Sequence, residues 1–358
     1  MAQSKRFNAQ LVGRLFPKSP AFRIVQLGQH DARKMSDDLL TLKSLLLENE
    51  DMYPGIDRWY AEKVVPGLKA SERIAYVAFE GEKPIASAVL KLGEHAKFCH
   101  VRIHPGFRDH DLGQMFFAQM AFEARHSDAK EIHFTLPEGL WYDETKFFNS
   151  FGFVAAKRAS QQYRDGQTEL SCSAPLATVW RESLKRLPYL MRRFSPGGLS
   201  SSNQILLSMQ PTYAKRVFAR TKHIEIRKKF SLKWKGCKAV VYGSQPLGAL
   251  MGEVTLSDII SGSPAVIWEQ YGARTGCSYE EFVDYVGGSK EVYALELADV
   301  TPYISPVGIS QISHLTGEDL RPPQSFLEVK SDAEGAWVKA ISVAGLLHSR
   351  YGIRRPNL

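Results

Sequence analysis

The chain has 358 residues, of which 44% are hydrophobic and 23% charged, and its formal net charge is +8. A length of this order predicts two or three globular domains, and the sequence contains no apolar run near the roughly 18–20 residues that a membrane-spanning helix requires. Cys99, Cys172, Cys237 and Cys277 lie far apart without a CxxC pair. No metal site or disulfide framework is therefore expected, and a polar start without a secretory apolar segment points to the cytoplasm.

In chain order, residues 23–27 read as a short opening strand. Met35, Leu39, Leu42 and Leu46 then recur at helical spacing behind Asp31 as N-cap. Tyr53-Pro54-Gly55 breaks the chain, and a second helix is expected from Ile56 to Val65, ended by Pro66-Gly67. Three strand-like runs follow at 73–79, 84–92 and 97–103, the first two joined by a turn at 80–83. A helix is predicted over 112–126, a strand over 131–136, a helix over 143–150 and a closing strand over 163–174. This alternation predicts a mixed sheet with helices on both faces.

Residues 177–194 carry Trp180, Leu184, Leu187 and Leu190 on one side of a basic amphipathic helix, and the Gly/Ser-rich stretch 195–203 reads as a linker. Between 177 and 238 there are fifteen Lys and Arg against two acidic residues. Such a block suits a polyanion, or else forms a solvated helix face plus a basic linker. Beyond it, strands are predicted around 205–209, 223–228, 238–243, 249–256 and 292–300, and helices at 211–219, 264–271 and 279–286. Many short strands point to a small β-barrel, with a helical tail at 333–349 that could pack on either domain.

Two stretches carry chemistry. In the first, Val101-Arg-Ile103-His-Pro105-Gly-Phe-Arg108-Asp109-His110-Asp111-Leu112-Gly113-Gln114, a strand ends at a proline, an arginine opens a turn, and a helix begins. Backbone N–H groups and a helix N-terminus then converge where an anion can bind. This stretch resembles the acetyl-CoA motif of the GNAT acyltransferase superfamily, with Pro105, Arg108, Leu112 and Gly113 on its positions and Asp109 and Asp111 in place of two glycines. Phe147-Phe148-Asn-Ser-Phe-Gly152-Phe153 is similar to the family's late motif, with Phe148 where a thiolate-protonating tyrosine is common and Tyr142 as its substitute. The resemblance implies a GNAT-like α/β domain over 22–175 with acetyl-CoA as cofactor. It implies pantetheine along the strand that ends at Val101 and Ile103, and a diphosphate on residues 108–114. A substrate amine would attack the thioester, with His100 or Glu94 as candidate base.

In the second stretch, Lys222, Glu225 and Arg227 crowd one short strand-like run, and alternation puts Glu225 and Arg227 on one face. Charges so placed line a polar cleft or form a surface ion pair. Residues 205–326 resemble the ASCH domain, a mostly-β, PUA-like barrel. The resemblance rests on Lys222, Glu225 and Arg227 in its signature, on Ser244 within Val241-Tyr-Gly-Ser-Gln-Pro246, on Glu269 within Ile267-Trp-Glu-Gln-Tyr, and on Arg321-Pro-Pro-Gln-Ser-Phe326. It implies RNA or nucleotide binding through Lys222, Glu225, Arg227, Ser244 and Glu269.

The expected organisation is an acyltransferase-like domain over 22–175, a basic helix and linker over 176–204, an ASCH domain over 205–328, and a C-terminal helix and tail over 329–358. Three functions fit it. The first is an N-acyltransferase acting on an RNA- or nucleotide-linked amine. The second is an amidohydrolase of N-acylated nucleosides, against which Glu225 counts, standing where such hydrolases carry threonine. The third is a non-catalytic RNA-binding regulator.

Overall fold

The computed structural model describes residues 22–27, 32–48, 53–108, 111–159, 164, 166–194, 204–329 and 335–350. Expectations placed on Asp31, Asp109, His110 and the stretch 195–203 lie outside the described residues.

Seven strands form the first sheet: β1 (Phe22–Leu27), β2 (Arg73–Glu80), β3 (Lys83–Lys91), β4 (His95–Ile103), β5 (Glu131–Pro137), β6 (Ala156–Arg158) and β7 (Glu169–Pro175). Their spatial order is β1-β2-β3-β4-β5-β7-β6. Every neighbouring pair is antiparallel except β4 and β5, which are parallel. Strands β2 and β3 are buried along most of their length because both faces are covered, which is why they read as continuous apolar runs. On one face, α1 (Ala32–Leu47) and the helical segments Ile56–Trp59, Tyr60–Val64 and Val65–Lys69, together α2, bury Leu42, Leu46, Val64 and Leu68 against Val77 and Val89. The other face carries α3 (Leu112–His126) and α6 (Leu176–Phe194), with α4 (Glu138–Asp143) and α5 (Thr145–Ser150) at the end of β5.

Some expectations shift. Pro66 does not end the second helix. The chain passes through a π turn at Tyr60–Val64, and Pro66 occupies the start of the next segment, where its missing N–H is harmless. The helix expected at 143–150 runs from Thr145 to Ser150, and a separate short helix, Glu138–Asp143, which the spacing did not predict, precedes it. The closing strand begins only at Glu169, and the three-residue β6 is too short to show a period.

A second, six-stranded sheet is curved into a half-barrel: β8 (Gln204–Met209), β9 (Ile224–Arg227), β10 (Lys238–Gly243), β11 (Ala249–Gly262), β12 (Val292–Gly308) and β13 (Phe326–Val329), in the order β13-β8-β10-β11-β12-β9. Strands β11 and β12 form one long antiparallel ribbon with three register shifts, and bulges of this kind bend a ribbon. Around it lie α7 (Pro211–Phe218), α8 (Pro264–Tyr271), α9 (Tyr279–Val286), α10 (Ile309–Thr316) and α11 (Ala336–Arg350). No helix among the described residues is long and apolar enough to cross a membrane.

Helix α6 joins the two sheets. Its apolar stripe is fully packed: Val179, Leu187 and Leu190 are inaccessible to solvent. Trp180 lies beside Phe122 of α3 and donates its indole N–H to the Leu315 carbonyl of α10 at 2.5 Å. Gly345 of α11 lets that helix approach so closely that an added Cβ would lie 2.7 Å from the Met191 methyl. One apolar core therefore runs from the first sheet through α6 into Leu206, Val240, Leu250 and Val307 of the second. The basic side of the same helix stays in water, with Arg181 and Lys185 side chains more than half exposed.

Candidate functional sites

Strands β4 and β5 pair over three positions only, His95 with Glu131, Ala96 with Ile132, and Lys97 with His133. Yet β4 continues to Ile103 on its β3 side and β5 to Pro137 on its β7 side. From Phe98 to Ile103, one edge of β4 thus has no strand partner, and its backbone N–H and C=O groups require another acceptor or donor. The sequence explains the parting. The first residues past the last pair are both phenylalanine, Phe98 and Phe134, and their rings meet Phe117 and Phe153 at centroid distances of 4.9 and 4.8 Å. The β3–β4 register also slips between Phe98 and His100, leaving Cys99 as an extra residue that bends β4.

Helix α3 begins at the open end. Gly113, in its first turn, lies over Ile103, and a Cβ there would sit 3.3 Å from the Ile103 methyl and 3.6 Å from Phe147. A side chain there would require the Ile103 methyl to give way by a few tenths of an ångström. Val101 and Ile103 are half-buried beneath this helix, Leu112 is wholly buried, and Arg108 is exposed. Asp111 adopts the left-handed conformation (φ 59°) and makes no side-chain cap bond to α3. Its carboxylate instead accepts from Gln114 Nε2 at 2.9 Å and from the Tyr189 hydroxyl at 2.7 Å, and it pairs with Arg193 Nε at 3.0 Å. The first-turn N–H groups of α3 thus receive no carboxylate from their own N-cap.

The residues expected to move protons are placed less favourably. His100 is buried on the α1 side of the sheet, its Nε2 3.1 Å from Ser87 Oγ. Burial, helped by the Arg102 charge, pushes its pKa down to about 4, so it is a poor base for an amine at neutral pH. Glu94 is bound to Lys130 at 2.6 Å, at the closed end of the parting. Phe148 is buried and stacked flat on Trp141, with centroids 5.6 Å apart and planes at 2°; that position is built for packing. Tyr142 is 68% exposed on α4. Sequence reasoning missed a buried ion pair, Arg164 with Glu169, whose guanidinium lies over the Tyr53 ring. Glu169 stands opposite Pro137, at the end of β5 away from its pairing with β4.

In the second sheet, Lys222, Glu225 and Arg227 come together as the spacing predicts, but inside the protein, each less than 9% exposed. Lys222 Nζ donates to the carbonyls of Ile224 and Thr275 at 2.8 and 2.7 Å and pairs with Glu225 at 3.1 Å. An ammonium has three protons, and these three contacts occupy them. The lysine is thus neither a free nucleophile nor a free phosphate ligand. Arg227 pairs with Glu225 at 3.0 Å, reaches the Ser325 hydroxyl at 3.3 Å and donates to the Ser208 carbonyl. Since β9 and β13 are opposite edges of the sheet, Arg227 fastens one edge to the other and closes the half-barrel. Its guanidinium is thus buried and engaged within the sheet.

Ser244 is half-buried in the β10–β11 turn, its N–H bonded to the Met209 carbonyl, and Glu269 is exposed on α8. No hydrogen bond or ion pair joins either to the cluster among the described residues. Part of the basic block is engaged in ion pairs. Lys185 and Arg186 pair with Glu182, Arg193 with Asp111, Lys233 with Glu328 and Lys235 with Asp258. Among the described residues no group of His, Cys, Asp and Glu is placed to hold a metal ion.

The profile of a family described as a domain of unknown function (DUF365) matches residues 204–321. An ASCH domain-containing ribonuclease of Zymomonas mobilis subsp. mobilis is 25% identical over 129 residues, 36% of this chain and 86% of that protein. A crystal structure of ASCH from Zymomonas mobilis is similar at 24% identity and a TM-score of 0.35, covering 38% of this chain and 93% of that one. A structure from Desulfovibrio desulfuricans assigned to the GNAT family is similar at 14% identity and a TM-score of 0.34, covering 43% of this chain and 99% of that one. The C-terminal part of the chain is thus similar in sequence to an ASCH domain-containing ribonuclease.

Two outcomes test these sites. Glu225→Gln leaves two buried cations without their counter-charge, and it should destabilise the chain by about 3–5 kcal/mol in urea unfolding. A loss below about 1 kcal/mol would mean that the trio is not a buried unit. For His100, the folded pKa of about 4 lies below the ordinary value of 6.5, so the unfolded chain binds more protons between those limits. Stability should be complete above pH 6.5 and fall as the pH drops toward 4, by up to about 1.4 kcal/mol per pH unit from this group. Urea midpoints at pH 7.5 and 5 should therefore differ less in His100→Gln than in the unaltered chain.

Proposed function

We propose that the chain is an acyl-CoA-dependent N-acyltransferase whose acceptor amine is carried by RNA or a nucleotide. In this reading residues 22–175 hold the donor and the ASCH-like part holds the nucleic acid. The observation that carries it is the parting of β4 from β5 with α3 starting at its open end. A linear ligand with amide groups can complete the ladder along Phe98–Ile103, and a diphosphate matches the first-turn N–H groups of α3 and the exposed Arg108. The residues fit acetyl-CoA on these grounds, since the donors lie in the order in which its pantetheine and diphosphate are joined.

When bound, acetyl-CoA supplies a thioester that an amine attacks. The chain's own contribution is to hold that thioester in line and to keep the α3 side of the strand dry through Val101, Ile103 and Phe147. His100 does not take the amine's proton at neutral pH, and Phe148 has none to give. Tyr142, exposed to solvent, is the remaining candidate for returning a proton to the thiolate. The amine enters neutral, and its proton passes to water. The ASCH-like ribonuclease relative supports an RNA-linked acceptor. Against the amidohydrolase alternative stand Glu225 and the Lys222 ammonium, which is engaged with two carbonyls and a carboxylate.

Incubation of the full chain with acetyl-labelled acetyl-CoA and total RNA tests this. Label should accumulate in acid-precipitable, nuclease-sensitive material. Label confined to small amines would remove the RNA acceptor. Shortened RNA without transferred label would assign the chain to RNA cleavage instead.

A further inference from the structure

The last turn of α6 touches the first turn of α3, and it does so through one carboxylate. The two helices run antiparallel, with Trp180 beside Phe122 at one end and Arg193 against Asp111 at the other. A carboxylate at a helix N-terminus ordinarily turns inward, caps the free N–H groups and meets the positive end of the dipole. Asp111 does not. Its Oδ2 is shared by the Tyr189 hydroxyl and Arg193 Nε, and its Oδ1 by Gln114. Tyr189 and Arg193 lie four apart and so share one side of α6. The Asp111 carboxylate and Arg193 side chain are each only about one-fifth exposed, which limits screening by solvent.

We infer that Tyr189 and Arg193 form a clamp that withdraws and neutralises the Asp111 carboxylate, so that the α3 N-terminus accepts the diphosphate of an acyl-CoA despite an aspartate where a glycine would serve. This rests on the acyl-CoA reading above, and it makes Tyr189 and Arg193 positioning residues that act through Asp111. Without the clamp, the carboxylate competes for the same N–H groups and repels the incoming anion. With glycine at 111 there is nothing to withdraw, and the left-handed backbone there suits glycine without strain. The clamp is therefore needed only while residue 111 is acidic, which separates it from a general stabilising contact.

The test is calorimetric titration of the full chain with acetyl-CoA, using Arg193→Gln, Tyr189→Phe, Asp111→Gly and the double variant Asp111→Gly/Arg193→Gln. Arg193→Gln should weaken binding at least 10-fold and Tyr189→Phe several-fold. Asp111→Gly should bind as well as the unaltered chain or better, and the double variant should bind within about threefold of Asp111→Gly. Binding unchanged by Arg193→Gln, or weakened as much with glycine at 111 as with aspartate, would overturn the clamp and leave the acyl-CoA reading standing. No saturable binding by the unaltered chain would overturn that reading and the clamp with it. Tyr189→Phe keeps the ring and removes only the hydroxyl, so it remains decisive if Arg193→Gln does not fold.

Discussion

Two parallel strands that pair over three residues and then separate set the terms for the rest of the first sheet and its helices. A backbone edge inside a sheet is not left unpaired without a reason, because each N–H and C=O that loses water needs a partner. In β4 the edge opens just where both strands place a phenylalanine toward α3. The rings fill the space beneath the parting, and the extra residue at Cys99 turns β4 outward. Helix α3 is then fixed over the end of β4 by the small profile of Gly113, and the chain crosses into the turn that carries Arg108 and Asp111.

The second sheet depends on charge instead. Lys222, Glu225 and Arg227 are a buried trio in which one carboxylate serves two cations and other donors go to backbone carbonyls and a serine, while Arg227 Nε makes no hydrogen bond among the described residues. Buried charges are tolerated only when paired in this way. Arg227 converts that requirement into architecture, because its partners lie on the far edge of the sheet. Helix α6 links this barrel to the first sheet through one shared core. Its apolar side is the joint, and its polar side reaches the start of α3.

Much of the fold was legible in the sequence because it rests on local periodicity. The helix at 112–126, the strands at 73–103 and the three helices at 211–219, 264–271 and 279–286 announce themselves by spacing. What misled was local as well: Pro66-Gly67 looks like a terminator but begins a further helical segment, and three-residue β6 has no period to read. The site was legible by type but not by environment. The spacing brought Glu225 and Arg227 to one face, but Arg227 is held inside by Ser208 and Ser325, 19 and 98 positions away. The role of α6 was hidden in the same way. A run of Lys and Arg suggested a surface for a polyanion, whereas Arg193 is committed to Asp111, more than eighty residues earlier. His100 stands on the predicted strand, and only the tertiary fold shows that burial removes its basicity.

The most direct measurement is amide hydrogen exchange of the full chain with and without acetyl-CoA. The β4 edge and the α3 start should respond together, with slowed exchange over Phe98–Ile103 and Asp111–Met115 and little change in β2 or β3. Saturable binding with no protection on β4, or with protection confined to the second domain, would contradict the account, because the parted strands would then not be where the ligand lies.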